Sequence, residues 1–139
     1  MTAKILDGKA ISDEILAEVK EGVQQLKAKT GVTPGLAAVL IGENPASAVY
    51  VRNKGRTCEE VGIYSETFRM PQDTTEADAL ALVDKLNKDG RFHGILVQLP
   101  LPRQINEQRV INALSPEKDA DGLHPFSMGN QRMISARER

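Results

Sequence analysis

The residues 36-LAAVLIGENPASAVYVRNKGRTCEEVG-62 decide the fold. Leu36 to Ile41 is apolar on both alternating faces, the pattern of a strand covered on both sides. Gly42 to Ser47 reads as a polar turn opening directly into a helix that closes at Gly62, with Ser47 placed as its cap. Within that helix Tyr50 and Lys54 stand four residues apart. At about 100° per residue they share one face, roughly 6 Å apart along the axis, so a phenol and an ammonium project onto one patch.

Upstream, Ile11, Ile15, Val19, Val23 and Leu26 recur at helical spacing among Glu, Lys and Gln. They predict an amphipathic helix ending near Lys29, before Gly31, and Pro34 and Gly35 then break the chain. Downstream, Ile63 to Met70 predicts a second strand that Pro71 to Asp73 turns away from. Thr74 or Thr75 caps a helix with the apolar stripe Ala79, Leu82, Val83 and Leu86, stopped between Asn87 and Gly90.

Gly94 to Leu99 is the most apolar run, interrupted by one amide, Gln98. Pro100 and Pro102 cannot continue a central strand, which puts Gln98 at a strand end. Glu107 to Leu114 predicts a short helix and 115-SPEKDADG-122 a turn-rich return. Strand and helix signals alternate without internal repeats, so the expected class is α/β: three αβα layers around a mainly parallel sheet. One domain is expected over residues 1–129, followed by an irregular or disordered tail over 130–139.

Composition narrows the function. A chain of 139 residues, 40% of them hydrophobic, builds one core. Eighteen basic and nineteen acidic residues leave a net charge of -1 without long runs, which argues against a nucleic-acid partner and for a small neutral or mildly charged ligand. Cys58 is the only cysteine: it excludes an internal disulfide and an all-cysteine metal site, fits a reducing cytosol, and is expected as a small buried side chain. His93 and His124 lack ligand spacing, so no metal is expected. With no leader and no run of spanning length, the expectation is a soluble cytoplasmic domain with no membrane partner.

In parallel sheets ligands bind outside the carboxyl ends of the strands. The loop carrying Tyr50 and Lys54, Gln98 at its strand end, and the Asp119–Gly122 turn are all expected at that edge. Singly each is weak, because Tyr–Lys pairs are common on helices and Asp121-Gly122 alone is an ordinary turn. Gln98 is stronger, since an amide inside an apolar run must find hydrogen-bond partners.

Three motifs in this order, Asn44-Pro45-Ala46-Ser47 with Tyr50 and Lys54, then 94-GILVQLPLP-102, then 118-KDADG-122 with His124-Pro125, carry a family resemblance. From about Ile5 to Gly129 the chain resembles the N-terminal catalytic domain of the bifunctional methylenetetrahydrofolate dehydrogenase/methenyltetrahydrofolate cyclohydrolases, the FolD type. The resemblance implies interconversion of methylene-, methenyl- and 10-formyl-tetrahydrofolate. It makes Lys54 the central catalytic group, with Gln98 interacting with it and Tyr50 lying against the pterin. Asp121 holds the pterin's donor edge, and Val97, Leu99 and Pro100 complete the substrate contacts beside Tyr50, Lys54 and Gln98. A lysine near its unperturbed pKa of about 10.4 donates protons readily and accepts them poorly, and an uncharged amide orients the amine without adding the bias of an anion.

The same resemblance implies NADP as cofactor and a homodimer for the full-length family. Its second, NADP-holding Rossmann domain is missing here: the chain stops at Arg139 and no G-x-G-x-x-G loop follows a strand. The expectation is no dehydrogenase activity and at most weak cyclohydrolase activity from this chain. Ala120, where the family usually has Val, is expected to loosen packing behind Asp121. The short-chain dehydrogenases also use Tyr-x-x-x-Lys, but their glycine-rich N-terminal loop is absent. The alternative is a non-catalytic module binding folate, or an anion at the helix start between Gly42 and Ser47, or serving dimerisation.

Overall fold

The computed structural model describes residues 6–129. The elements run α1 (Gly8–Thr30), β1 (Gly35–Ile41), α2 (Pro45–Val61), β2 (Tyr64–Met70), α3 (Glu76–Lys88), β3 (Gly94–Val97) and α4 (Glu107–Ala113), then a 3-10 turn at Pro116–Lys118. The sheet order is β2-β1-β3 and both pairings are parallel, with Val39 opposite Phe68 on one side and Val97 on the other. The fold is therefore the expected α/β sandwich. The expected tail at 130–139 lies outside the described residues.

Every residue of β1 except Leu36 is buried, and its alternation divides the core. Ala37, Val39 and Ile41 meet Ala79, Val83 and Leu86 of α3 and Val110 of α4, with Phe92 and Ile95 between them. Ala38 and Leu40, on the opposite face, meet Val51 of α2 and Leu96 of β3. Phe92 lies at the centre of the aromatic packing, stacked on Tyr64 at 5.9 Å and met edge-on by Phe68 at 5.6 Å. The Ala79–Val83–Leu86 stripe is buried as expected, with Leu82 at its half-buried margin.

Four details differ from the sequence expectations. The cap of α2 is Asn44, whose side chain accepts from the Ser47 N–H at 3.1 Å, while Ser47 lies buried inside the first turn. Pro45 explains the shift: its fixed φ and missing N–H suit the first helical position, which leaves Asn44 as the residue before it. Strand β2 begins at Tyr64, because the Ile63 N–H still bonds Cys58 O at the helix end. β3 ends at Val97, although the Gln98 N–H still reaches Val39 O at 2.9 Å.

The largest difference is at α1. Its apolar stripe does not face the core: Ile11, Ile15, Val19 and Leu26 are 38–53% exposed and only Val23 is buried. The helix packs on α2 with Val23, which lies where α2 closes at Gly62.

Candidate active site

At the carboxyl edge of the sheet, β1 passes through Gly42, at φ +95°, into the loop that starts α2. Helix α2 lies across the Ala38–Leu40–Leu96 face through Val51 and Ala48. One flank of α2, with Arg52, Gly55, Arg56 and Glu59, borders a groove against Ser65, Thr67 and Arg69 of β2. At helical spacing Tyr50 and Lys54 fall on the other flank. Since β2 and β3 lie on opposite sides of β1, this second flank is turned toward β3 and Gln98.

Gln98 is the distinctive group there. Its Nε2 donates to its neighbour's carbonyl, Leu99 O, at 2.9 Å, while its Oε1 is buried with no hydrogen-bond partner. A buried acceptor without a protein donor is rare in a folded protein and leaves a position that a water or a ligand donor can fill. No hydrogen bond joins Lys54 to Gln98 among the described residues, so the expected contact between them is not preformed. Lys54 is half-buried and Tyr50 is 62% exposed, its ring face open to a planar ligand.

The segment after Gln98 is fixed by residues that carried no signal in the sequence. The Leu99–Pro100 peptide is cis. Glu107, at the start of α4, accepts from the Leu101 N–H at 3.0 Å, and Leu101 and Ile105 are buried. The Gln104 amide donates to Gln72 O at 2.7 Å and Thr74 O at 3.0 Å, and Gln72 Oε1 in turn accepts from the Glu43 N–H at 3.4 Å. Two strand-end loops are thereby tied together beside the site.

The turn that carries Asp121 is anchored beside β3 by Asp119. The Ala120 N–H donates to Ile95 O at 3.2 Å, in an isolated parallel bridge of Asp119 with Ile95, after which the chain bends away through Ala120 and Asp121. Asp119 holds the turn, accepting from the Leu123 and His124 N–H groups at 3.3 and 2.9 Å. Burial works against its charge, but hydrogen bonds from Ser127, His124, Leu123 and Gly122 hold its carboxyl below the usual value of 3.8. Asp121 itself is exposed, with its carboxylate free for a ligand. Ala120 is also exposed, so its small side chain removes little packing behind Asp121.

The remaining candidates are structural. His93 Nδ1 accepts from the Gly35 N–H at 3.0 Å and His124 Nδ1 from the Phe126 N–H at 3.1 Å. Burial pushes the Cys58 thiol up, as for a packed side chain rather than a nucleophile. Among the described residues no group of three His, Cys, Asp or Glu could hold a metal, and no helix is long and apolar enough to cross a membrane.

Among the described residues, the helix start after β1 does not fit a dinucleotide. The β1–α2 turn has one glycine, Glu43 adds a negative charge, Pro45 lacks an N–H, and the Ser47 N–H is already taken by Asn44. The same features count against an inorganic anion at this helix start.

Residues 6–121 match the family model described as tetrahydrofolate dehydrogenase/cyclohydrolase, catalytic domain. The Bifunctional protein FolD of Moorella thermoacetica is 62% identical over 130 residues, which are 94% of this chain and 46% of that protein. That of Geotalea daltonii is 58% identical over 91% of this chain and 45% of its own length. Among solved structures, the FolD methylenetetrahydrofolate dehydrogenase/cyclohydrolase of Campylobacter jejuni superimposes with a TM-score of 0.90 at 44% identity, over 94% of this chain and 46% of that one. The Trypanosoma brucei enzyme, solved with NADP cofactor and inhibitor, gives 0.91 at 33% identity over 100% of this chain and 46% of its own. The chain thus spans about half the length of the curated relatives it matches.

Proposed function

From the premise that this chain belongs to the tetrahydrofolate dehydrogenase/cyclohydrolase family, as its catalytic domain, we propose that it binds a tetrahydrofolate at the β1/β3 edge and hydrolyses the methenyl form. The observation that carries this reading is the buried Oε1 of Gln98 without a protein donor, at the end of β3. Tyr50 offers its ring to the pterin, Asp121 accepts from the pterin's adjacent N–H groups, and Val97, Leu99 and Pro100 wall the site. Residues 6–129 serve as the folate-binding unit. The lone buried thiol fits work in a reducing cytosol.

In the reaction, water oxygen forms a bond to the cationic methenyl carbon and loses one proton, leaving a neutral hydroxyl adduct. The carbon's bond to N5 then breaks as the hydroxyl loses its second proton to become the formyl carbonyl and N5 takes one up, so the 10-formyl product leaves with one proton released overall. Lys54 holds and transfers the proton in this reading, and Gln98 Oε1 accepts from its Nζ, aiming it at the substrate. The hydride-transferring half of the family chemistry is not assigned to this chain.

The test is the loss of methenyltetrahydrofolate's ultraviolet absorbance with purified chain. Lys54→Met is expected to abolish turnover above the buffer rate while folate binding and the circular dichroism spectrum persist. Near-normal turnover in that variant would sink the assignment. Asp121→Ala is expected to weaken binding of a folate analogue and leave binding of a simple phosphate ester unchanged.

A further inference from the structure

Strand β2 is an edge of the sheet, and its side chains alternate between the two faces. Phe68 and Met70 turn to the larger core, whereas Ser65, Thr67 and Arg69 stand on the face that α2 crosses, level with Leu36, Ala38 and Leu40 of β1. Between α2 and β2 on that face lies a groove of about 440 Å³, and both of its walls belong to this chain: Arg52 and Arg56 on one side, Ser65, Thr67 and Arg69 on the other. Gly55 puts no side chain into it. Glycine weakens a helix interior, and the domain does not demand one here, since an added Cβ would meet no atom nearer than Ser65 Oγ at 4.0 Å.

The charge of the groove departs from that of the molecule. The whole chain carries -1, yet the groove gathers three arginines against one carboxylate, Glu59. Of the three, among the described residues only Arg56 has an ion pair, its Nε 3.1 Å from Glu60. Arg52 and Arg56 are four residues apart on one helix, a spacing at which like charges repel, and Arg69 adds a third from the strand. Elsewhere the same spacing carries opposite charges, as in Lys9–Asp13 and Lys88–Asp84. Guanidinium forks match the oxygens of phosphate and carboxylate, and the half-buried hydroxyls of Ser65 and Thr67 add donors beside them. No aromatic side chain lines the groove, so it suits a compact ligand read by charge rather than a stacked base.

We propose that the α2–β2 groove is a second binding site, which takes a small dianion bearing phosphate or carboxylate oxygens, held by Arg52 and Arg69 with Ser65 and Thr67 donating beside them. It lies on the flank of α2 away from Tyr50 and Lys54, so the proposal does not rest on the folate reading.

The experiment is titration calorimetry of the purified 139-residue chain at low salt with inorganic phosphate and, separately, with succinate. Whichever anion binds more tightly tells a phosphate source from a carboxylate one. Half-saturation by at least one of them is expected below about 1 mM, and the same anion should raise the melting temperature. Arg52→Gln and Arg69→Gln are each expected to weaken binding by about tenfold, and the double variant to lose the thermal shift with its circular dichroism spectrum unchanged. Lys54→Met is expected to bind the anion as the parent does. No saturation by either anion up to about 10 mM, undiminished binding by the double variant, or loss of binding in Lys54→Met overturns the proposal.

Discussion

Gln98 holds a buried oxygen that the fold leaves without a donor, and such a group weakens a protein that has no use for it. Gln98→Leu is therefore expected to change unfolding free energy by no more than about 1 kcal/mol while lowering cyclohydrolase turnover by roughly 100-fold or more. Urea denaturation and the absorbance assay check both halves. A loss of stability well beyond that figure with turnover intact would make Gln98 a structural residue. The sequence exposed Gln98 because an amide interrupts an apolar run; it placed Asp119 in the turn but not its role, since its partners are backbone N–H groups three to five residues on.

Asp119 also sets a pH dependence. Its folded carboxyl is held below the ordinary value of 3.8, so its contribution is present above that value and is lost as pH falls through the lower, folded one. Comparing melting temperatures of the parent and Asp119→Asn, the gap is expected at neutral pH and should close in acid below about 3.8. A gap that widens in acid would contradict the assignment.

At the scale of elements, the start of α2 separates two readings. Asn44→Ala removes the side chain that accepts from the Ser47 N–H and is expected to cost about 1 kcal/mol. Ser47→Ala leaves that cap in place, so thermal unfolding should rank Asn44→Ala as the more damaging by its effect on the helix start; the reverse order would restore Ser47 as the cap. The Asn-Pro pair was a readable signal, since proline favours the first helical position. The α1 stripe was readable as a helix, but which face meets the domain was not. Periodicity marks an apolar face without saying what it touches, and α2 is met by Val23 at the margin of the stripe.

Over the whole molecule, β1 is the shared wall of two cores, and Phe92 fills the larger one against Tyr64, Phe68 and Ile95. Phe92→Ala is expected to cost about 3–5 kcal/mol, a large share of a small domain's stability, read as a lower urea midpoint. A midpoint within error of the parent would mean that Phe92 is not the keystone of that packing. Here the sequence carried less information, because Phe92 falls in a short turn between α3 and β3, and only the sheet brings it under Tyr64.

The sequence alone determined the element order, the parallel α/β class, and the family motifs with Tyr50, Lys54, Gln98 and Asp121. Those rest on local periodicity, on proline and glycine chemistry, and on residues read in chain order. Tertiary structure alone decided which flank of α2 turns to β3, which end of the Gln98 amide stays open, how Asp119 sets the Asp121 turn, and that the α1 stripe faces outward. Each depends on which surfaces meet across the sheet, and long-range packing of that kind leaves no period in the chain.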